Sequence, residues 1–461
     1  MTNTNPVKSP LELIEYFTFK GDPMKIVSDK KLIAAVAILA ALVASSLAHA
    51  QETPDYYGSQ NQEANFSVQS YTYFGKSLGS PSEERIANDV KTKVKYLLGY
   101  MRRNPQSPSA VYPKYKVSTI KIEDTGSQYR VWYQISGKGV FAPGQTNYTF
   151  LLPISHSTIF EKAQDRCTVV DGDKVDSSTF WYHWDPYLSG CPLQENVDFI
   201  KYTTTLNYIA NTKSSYPEYD RLFATGSMNV WSFFGVAEYE ETNWNPNKTG
   251  DISAEDYNHQ RDVLINTYKM SARVWSDSEV RQYFNGSNLP YIEEFTKNTP
   301  HGLVTFHLFF GNTGLDHGDS KAFHSFLKIA LANSQVMIYN GHSGIGKNLN
   351  LSSIESARGY KLPLNQNYQI FFLGSCVPYA YYTDMFFQRK ISTSDTRGTK
   401  NLDIITFGDE SIFGNHYDDR LVAAVMDYAD NNRKQNYQQI IGTDTGYYLG
   451  VNGDEDNPTA P

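Results

Sequence analysis

Between residues 115 and 155 apolar and polar positions alternate with a period of two. The stretches 117–122, 129–135 and 148–152 each read as a strand with one face on a core. Asp124-Thr125-Gly126 and Pro143-Gly144, which separate them, carry turn chemistry. Upstream, Ser80-Pro81-Ser82-Glu83 opens a helix: serine caps, proline takes the first helical position, and glutamate reaches back. Ile86, Val90, Val94, Leu97, Leu98 and Met101 keep helical spacing until Pro105 and Pro108 end it. From about Gly226 the rhythm changes. Short apolar runs at 228–236, 270–275, 303–310, 336–339, 368–373 and 402–407 alternate with amphipathic helices. One helix starts at Ser253, one carries Phe323, Phe326, Leu327, Ala330 and Leu331, one runs from Pro378 to Lys390, and one carries Leu421, Val425 and Tyr428. Strands that are apolar on both faces and separated by helices predict a mostly parallel sheet covered on both sides.

A chain of 461 residues is too long for one ordinary core. The pattern predicts a signal-peptide region over 1–50, an extended polar segment over 51–79, and a β-rich α+β domain with one helix over 80–222. An α/β domain over 223–440 and a polar, acidic tail over 441–461 complete the division. The first of these rests on Met24-Lys25 and Lys30-Lys31 flanking the start of a run, 32–47, that is apolar or small throughout. Ala48-His49-Ala50 then fits the small-x-small cleavage rule, so translation is expected to start at Met24 and the mature chain at Gln51. The run is shorter than the ~20 residues a spanning helix needs, which predicts export without a stable membrane anchor, to the periplasm or beyond the cell.

Net charge is −8, charged residues make up only 20%, and no basic block exists, which excludes nucleic acid as an expected partner. Three cysteines sharpen the picture. In an oxidising compartment thiols pair. Cys167 and Cys191 flank a segment read as strand, turn, strand, so a local disulfide is expected between them, and Cys376 is left over. A leftover thiol in an exported protein is a candidate reactive group, against the alternative of a small buried side chain.

Two strand ends carry the candidate chemistry. The run 336–339 enters Asn340-Gly341-His342-Ser343-Gly344, and the run 370–373 enters Gly374-Ser375-Cys376. In parallel sheets, ligands and chemistry sit beyond the carboxyl ends of strands. A thiolate attacks a carbonyl, an imidazole moves the proton, and backbone N–H groups at Gly341, Ser343, Gly344, Ser375 and Cys376 are candidates to hold the oxyanion. A helix beginning at Pro378 is expected to favour the Cys376 thiolate.

These paired blocks resemble those of the caspase-like cysteine peptidases, the caspases, legumain, separase and gingipain, and are most similar to gingipain-like members. In that clan an apolar strand ends in His-Gly, and a later strand ends in a small residue plus Cys. Here Ser343 follows the histidine and Gly344 comes one position later, and 34 residues separate His342 from Cys376. The resemblance covers 226–430. It implies a caspase-like α/β sheet, a peptide or protein substrate, His342 as base and acid, Cys376 as nucleophile, and no cofactor. Members that cut after basic residues use acidic pockets, for which Asp384, Asp403, Asp409 and Glu410 are the candidates.

Two other readings compete. His301, His307, His317 and His324, with Asp316 and Asp319, suggest a metallohydrolase, although their spacing matches no zinc signature. Trp181, Tyr182, Trp184 and Tyr187 suggest a non-enzymatic module that binds glycan or a surface protein, an expectation that heavy aromatic usage (14%) encourages. A peptidase relic that has lost activity is a further alternative. The acidic tail lacks a complete calcium-loop pattern and is expected to be solvated.

Overall fold

The computed structural model describes residues 54–461 apart from 104–111, 169–174, 178, 239–240, 409–412 and 444–447. The expected signal region lies outside the described residues. Fifteen strands are described. β1 (Tyr56–Gly58), β8 (Ser227–Gly235), β9 (Ser271–Val274), β10 (Tyr291–Thr299), β11 (Gly302–Gly311), β12 (Val336–Asn340), β13 (Gln369–Gly374), β14 (Leu402–Thr406) and β15 (Gly450–Asn452) form one nine-stranded sheet in the order β1-β15-β14-β13-β12-β8-β11-β10-β9. The expectation of a mostly parallel sheet holds for the five central strands, β14-β13-β12-β8-β11. Two antiparallel strands close each edge, so the whole sheet is mixed.

The continuous apolar runs follow from burial on both faces. Val336, Ile338, Ile370 and Phe372 point to one side, where Leu421, Val422, Val425 and Met426 of the helix Asp418–Asn431 cover them. Met337, Tyr339, Phe371 and Leu373 point to the other, against Phe323, Phe326, Leu327 and Ala330 of the helix Lys321–Asn333. Each fully buried side chain of this kind contributes about 1.5–3 kcal/mol.

The remaining strands are β2 (Gln62–Gly75), β3 (Lys114–Asp124), β4 (Gln128–Phe141), β5 (Asn147–Pro153), β6 (Phe199–Thr205) and β7 (Asn207–Tyr208). They build an antiparallel sheet β3-β4-β2-β7 and a hairpin-like pair β5-β6. Residues 51–79, expected to be an extended polar segment, instead supply β1 and the 14-residue β2. The period of two is present in β2, but Ser70 and Thr72 occupy inward positions beside Phe66, Val68 and Phe74, which hides it. Thr72 is satisfied there by donating to Asp89 (2.9 Å). Residues 201–222, read as a connection, contain most of β6 and all of β7.

The single helix expected after Ser82 breaks at Lys95 into Glu83–Val94 and Tyr96–Arg103, and a further helix spans His156–Ala163. Residues 180–183, read as strand, form a helical turn, Phe180–His183. Gly99 is what lets that segment approach, since a Cβ there would lie 2.7 Å from the Trp184 backbone nitrogen. The expected Cys167–Cys191 disulfide is formed, across 24 residues. Loop-closure entropy for that length gives a stabilisation of about 3 kcal/mol. Reduction, or serine at both positions, is expected to lower the unfolding free energy by that amount, measured by urea denaturation.

The acidic tail is not solvated. β15 lies between β1 and β14, and Asp454 is buried, accepting from Thr212 (2.8 Å) and Ser215 (2.9 Å). Burial raises the Asp454 pKa to about 7, against the help of those hydroxyls. Asp403 on β14 is fully enclosed and also raised by burial, although Tyr368, Tyr437 and Asn457 all donate to it. A carboxyl whose folded pKa lies above its unfolded value binds more protons folded than unfolded. Its stabilising contribution is full below the unfolded value and is lost as pH rises through the folded one. Glu355 works in the opposite sense: Arg389, a backbone N–H and Lys361 outweigh burial and hold it at about 2. Thermal stability is therefore expected to peak in mild acid and to fall between about pH 5 and about pH 8. A melting temperature that climbs over that range would contradict these assignments.

Candidate active site

β12 and β13 are parallel neighbours with Asn340 opposite Gly374. Two residues beyond each strand stand His342 and Cys376, which the register places at equivalent positions on the carboxyl rim. The Gly341 amide donates to the Gly374 carbonyl (3.1 Å), continuing the pairing past the strand end. His342 and Cys376 line one cavity of about 170 Å³. At Gly374 a Cβ would fall 2.1 Å from the Asn340 side-chain oxygen, so any other residue there would displace the Asn340 amide that donates to Asp418. Gly344 has φ +56° and a Cβ there would meet Asn348 at 2.4 Å.

The imidazole is oriented. His342 Nε2 lies 2.8 Å from the Ala237 carbonyl oxygen. A carbonyl only accepts, so Nε2 carries the hydrogen and the neutral ring keeps its lone pair on Nδ1. Phe413 meets the ring edge-on at 5.7 Å. The His342 carbonyl accepts from Tyr339 (2.7 Å) and Asn348 (2.8 Å), and Tyr382 donates to the Ser343 carbonyl (2.7 Å). The histidine loop is thereby tied both to its own strand and to the segment after Cys376.

Cys376 is half-buried and takes no part in the disulfide. The next residue, Val377, has φ +55°, a conformation rare for a β-branched residue. Its side chain is buried in the core of the N-terminal sheet, against which Cys376 also packs. The strained turn is thus held by packing between the two sheets. The helix expected from Pro378 to Lys390 is instead two short pieces, Pro378–Tyr381 and Thr383–Gln388. A single turn aligns too few peptide dipoles to activate the thiol strongly.

Of the candidate oxyanion donors, Gly341 spends its N–H on Gly374, while Ser343 and Gly344 N–H groups have no protein partner among the described residues. The Ser375 side chain is fully buried and its hydroxyl makes no hydrogen bond.

The acidic candidates are placed differently from expectation. Asp384 pairs with Lys114 (2.7 Å) beside the N-terminal sheet, Asp403 is enclosed on β14, and neither lines the cavity. Asp409 and Glu410 lie outside the described residues. Two other carboxylates, Asp256 and Asp418, form the acidic wall. Asp418 is held by Gln260 (2.8 Å) and Asn340 (3.1 Å), and burial followed by the neighbouring Asp419 raises it to about 7. Asp256 accepts from the Gly414 amide (2.8 Å) and lies 3.3 Å from His416, and burial raises it as well. Both stand in the first turn of a helix, Ser253–Asp262 or Asp418–Asn431. Sequence reasoning missed both, because a carboxylate in a first helical turn is common and its sequence position does not show which helix reaches the rim.

The histidines of the metallohydrolase reading are dispersed. His301 packs on Tyr428 (4.2 Å), His307 stacks on Trp231 (4.5 Å), and buried His324 accepts from Arg358 (2.9 Å). His317 precedes the helix Lys321–Asn333, Asp316 pairs with Lys347, and Asp319 accepts from Asn288. Among the described residues no three His, Cys, Asp or Glu side chains are grouped to hold a metal ion. Of the aromatic set, Trp184 is fully buried against Tyr96 and Phe199, Tyr182 lines the cavity, and only Tyr187 is well exposed. No family model, curated protein or solved structure matches this chain.

Proposed function

We propose that this chain is an exported cysteine peptidase of caspase-like type that hydrolyses peptide bonds through His342 and Cys376. The observation that carries the proposal is the parallel register of β12 and β13, with an oriented histidine and the non-disulfide cysteine both lining one cavity. His342 Nδ1 takes the proton from Cys376 Sγ, and the thiolate attacks the scissile carbonyl. The tetrahedral oxyanion is held by the Ser343 and Gly344 amides, then collapses as the imidazolium protonates the leaving amine. Water, deprotonated by the same ring, hydrolyses the thioester and restores the thiol.

Asp256 and Asp418 support a basic side chain immediately before the cleaved bond, since two carboxylates in a half-enclosed cavity favour a cation. The Cys167–Cys191 disulfide supports an oxidising compartment, as does the signal-like N-terminal segment. Among the described residues no helix is long and apolar enough to cross a membrane. The test is hydrolysis of fluorogenic peptides ending in Arg, Lys or Ala. Turnover of the basic pair by the wild type, and none by Cys376→Ala, is expected. Turnover that survives Cys376→Ala would sink the proposal.

A further inference from the structure

A second cavity, of about 430 Å³, opens toward the amino ends of the central strands. Asn229 on β8 marks it, six residues before Gly235, and at about 3.3 Å per residue this is roughly 20 Å from the histidine–cysteine rim. Its size falls in the range of small-molecule sites. We infer that this cleft binds a neutral saccharide unit, stacked on Trp275 and Tyr283 and hydrogen-bonded by the side-chain amides of Asn229, Gln282 and Asn333.

The polar groups decide the ligand class. Arg273 donates to both Glu294 (2.8 Å) and Glu279 (2.7 Å), so its charge is already met and no free cation remains to hold an anion. The carboxylates are equally committed. Glu294 also accepts from Trp275 (3.3 Å) and lies 3.4 Å from His307, and Glu279 closes a capping box on Ser276. Burial lowers the His307 pKa and keeps that ring neutral. What remains uncommitted is neutral: the three amide side chains have no protein partner among the described residues. Together they offer six N–H donors and three carbonyl acceptors, about the mixture that sugar hydroxyls require.

The aromatic wall suits the same ligand. Trp231 is buried between His307 and Phe326 and forms the floor. Above it Trp275 and Tyr283 lie 5.8 Å apart at 32°, with Tyr283 48% exposed. A pyranose presents an apolar C–H face to such rings and hydroxyls at its rim, so one ligand satisfies both halves of the cleft. The site is independent of the proposed dyad and can fail or stand without it.

The test titrates the full chain with cellobiose, maltose and N,N′-diacetylchitobiose, following tryptophan fluorescence and saturation-transfer NMR. At least one sugar is expected to bind saturably in the millimolar range. Trp275→Ala should weaken it about tenfold or more, and the exposed Gln282→Ala and Asn333→Ala, which leave packing untouched, about tenfold. Thiol labelling at Cys376 should be unchanged in all three variants. Absence of saturable binding by every sugar, or binding that all three variants leave intact, overturns the inference. So does saturable binding of an oligoarginine peptide that Gln282→Ala abolishes.

Discussion

Alanine at Cys376 is expected to remove peptide hydrolysis, and alanine at His342 to slow acylation by about 10²–10⁴-fold, the range of a positioned general base. The two changes act on one step, so the double variant is expected to be no slower than Cys376→Ala alone. The geometry behind this is specific. The Nε2 hydrogen is committed to the Ala237 carbonyl, so the ring can take a proton only at Nδ1. Replacing His342 by Gln should not rescue the rate, because an amide in that position offers no basic nitrogen. Pre-steady-state release of the first product separates acylation from the later hydrolysis. Rates that multiply across the two single variants would contradict a shared step.

Asp418→Asn is expected to lower discrimination for Arg over Ala before the cleaved bond by about 10²-fold, the order for neutralising one partner of a desolvated charge pair. Burial and Asp419 raise the Asp418 pKa to about 7, so the carboxyl is neutral in acid and charged in base. In the wild type, selectivity for Arg should therefore rise with pH through about 7, while Asp418→Asn shows a flatter profile. Asp256 is raised in the same sense by its own burial and shapes the remaining dependence. kcat/KM for paired Arg and Ala substrates across that range measures it. A ratio insensitive to both the substitution and pH would remove Asp418 from the specificity wall.

Much of the large sheet was legible because parallel central strands are apolar on both faces, and the runs at 228–236, 336–339, 368–373 and 402–407 meet that condition. β10 was missed: Glu293 and Glu294 interrupt its apolar pattern, and both are held by partners from other elements, Arg261 and Arg273. β1, β2 and β15 were missed as well. In β2 the buried Thr72 is satisfied by Asp89 of the following helix and in β15 the buried Asn452 by Ile404 and Thr406 of β14, while β1 spans only three residues, too few for a periodic pattern. His342 and Cys376 were legible because each stands just past an apolar strand with glycine beside it. Their juxtaposition needed only the parallel order of β12 and β13. Asp256 and Asp418 were not legible, because they reach the cavity from two helices that only the fold brings to the rim.

The histidine–cysteine pair is tested most directly by labelling the purified protein with a thiol-directed acyl probe and locating the modified residue by mass spectrometry. Labelling at Cys376 in the wild type, lost in Cys376→Ala and strongly slowed in His342→Ala, is the predicted result. An inert Cys376, or labelling that proceeds equally without the imidazole, would contradict it.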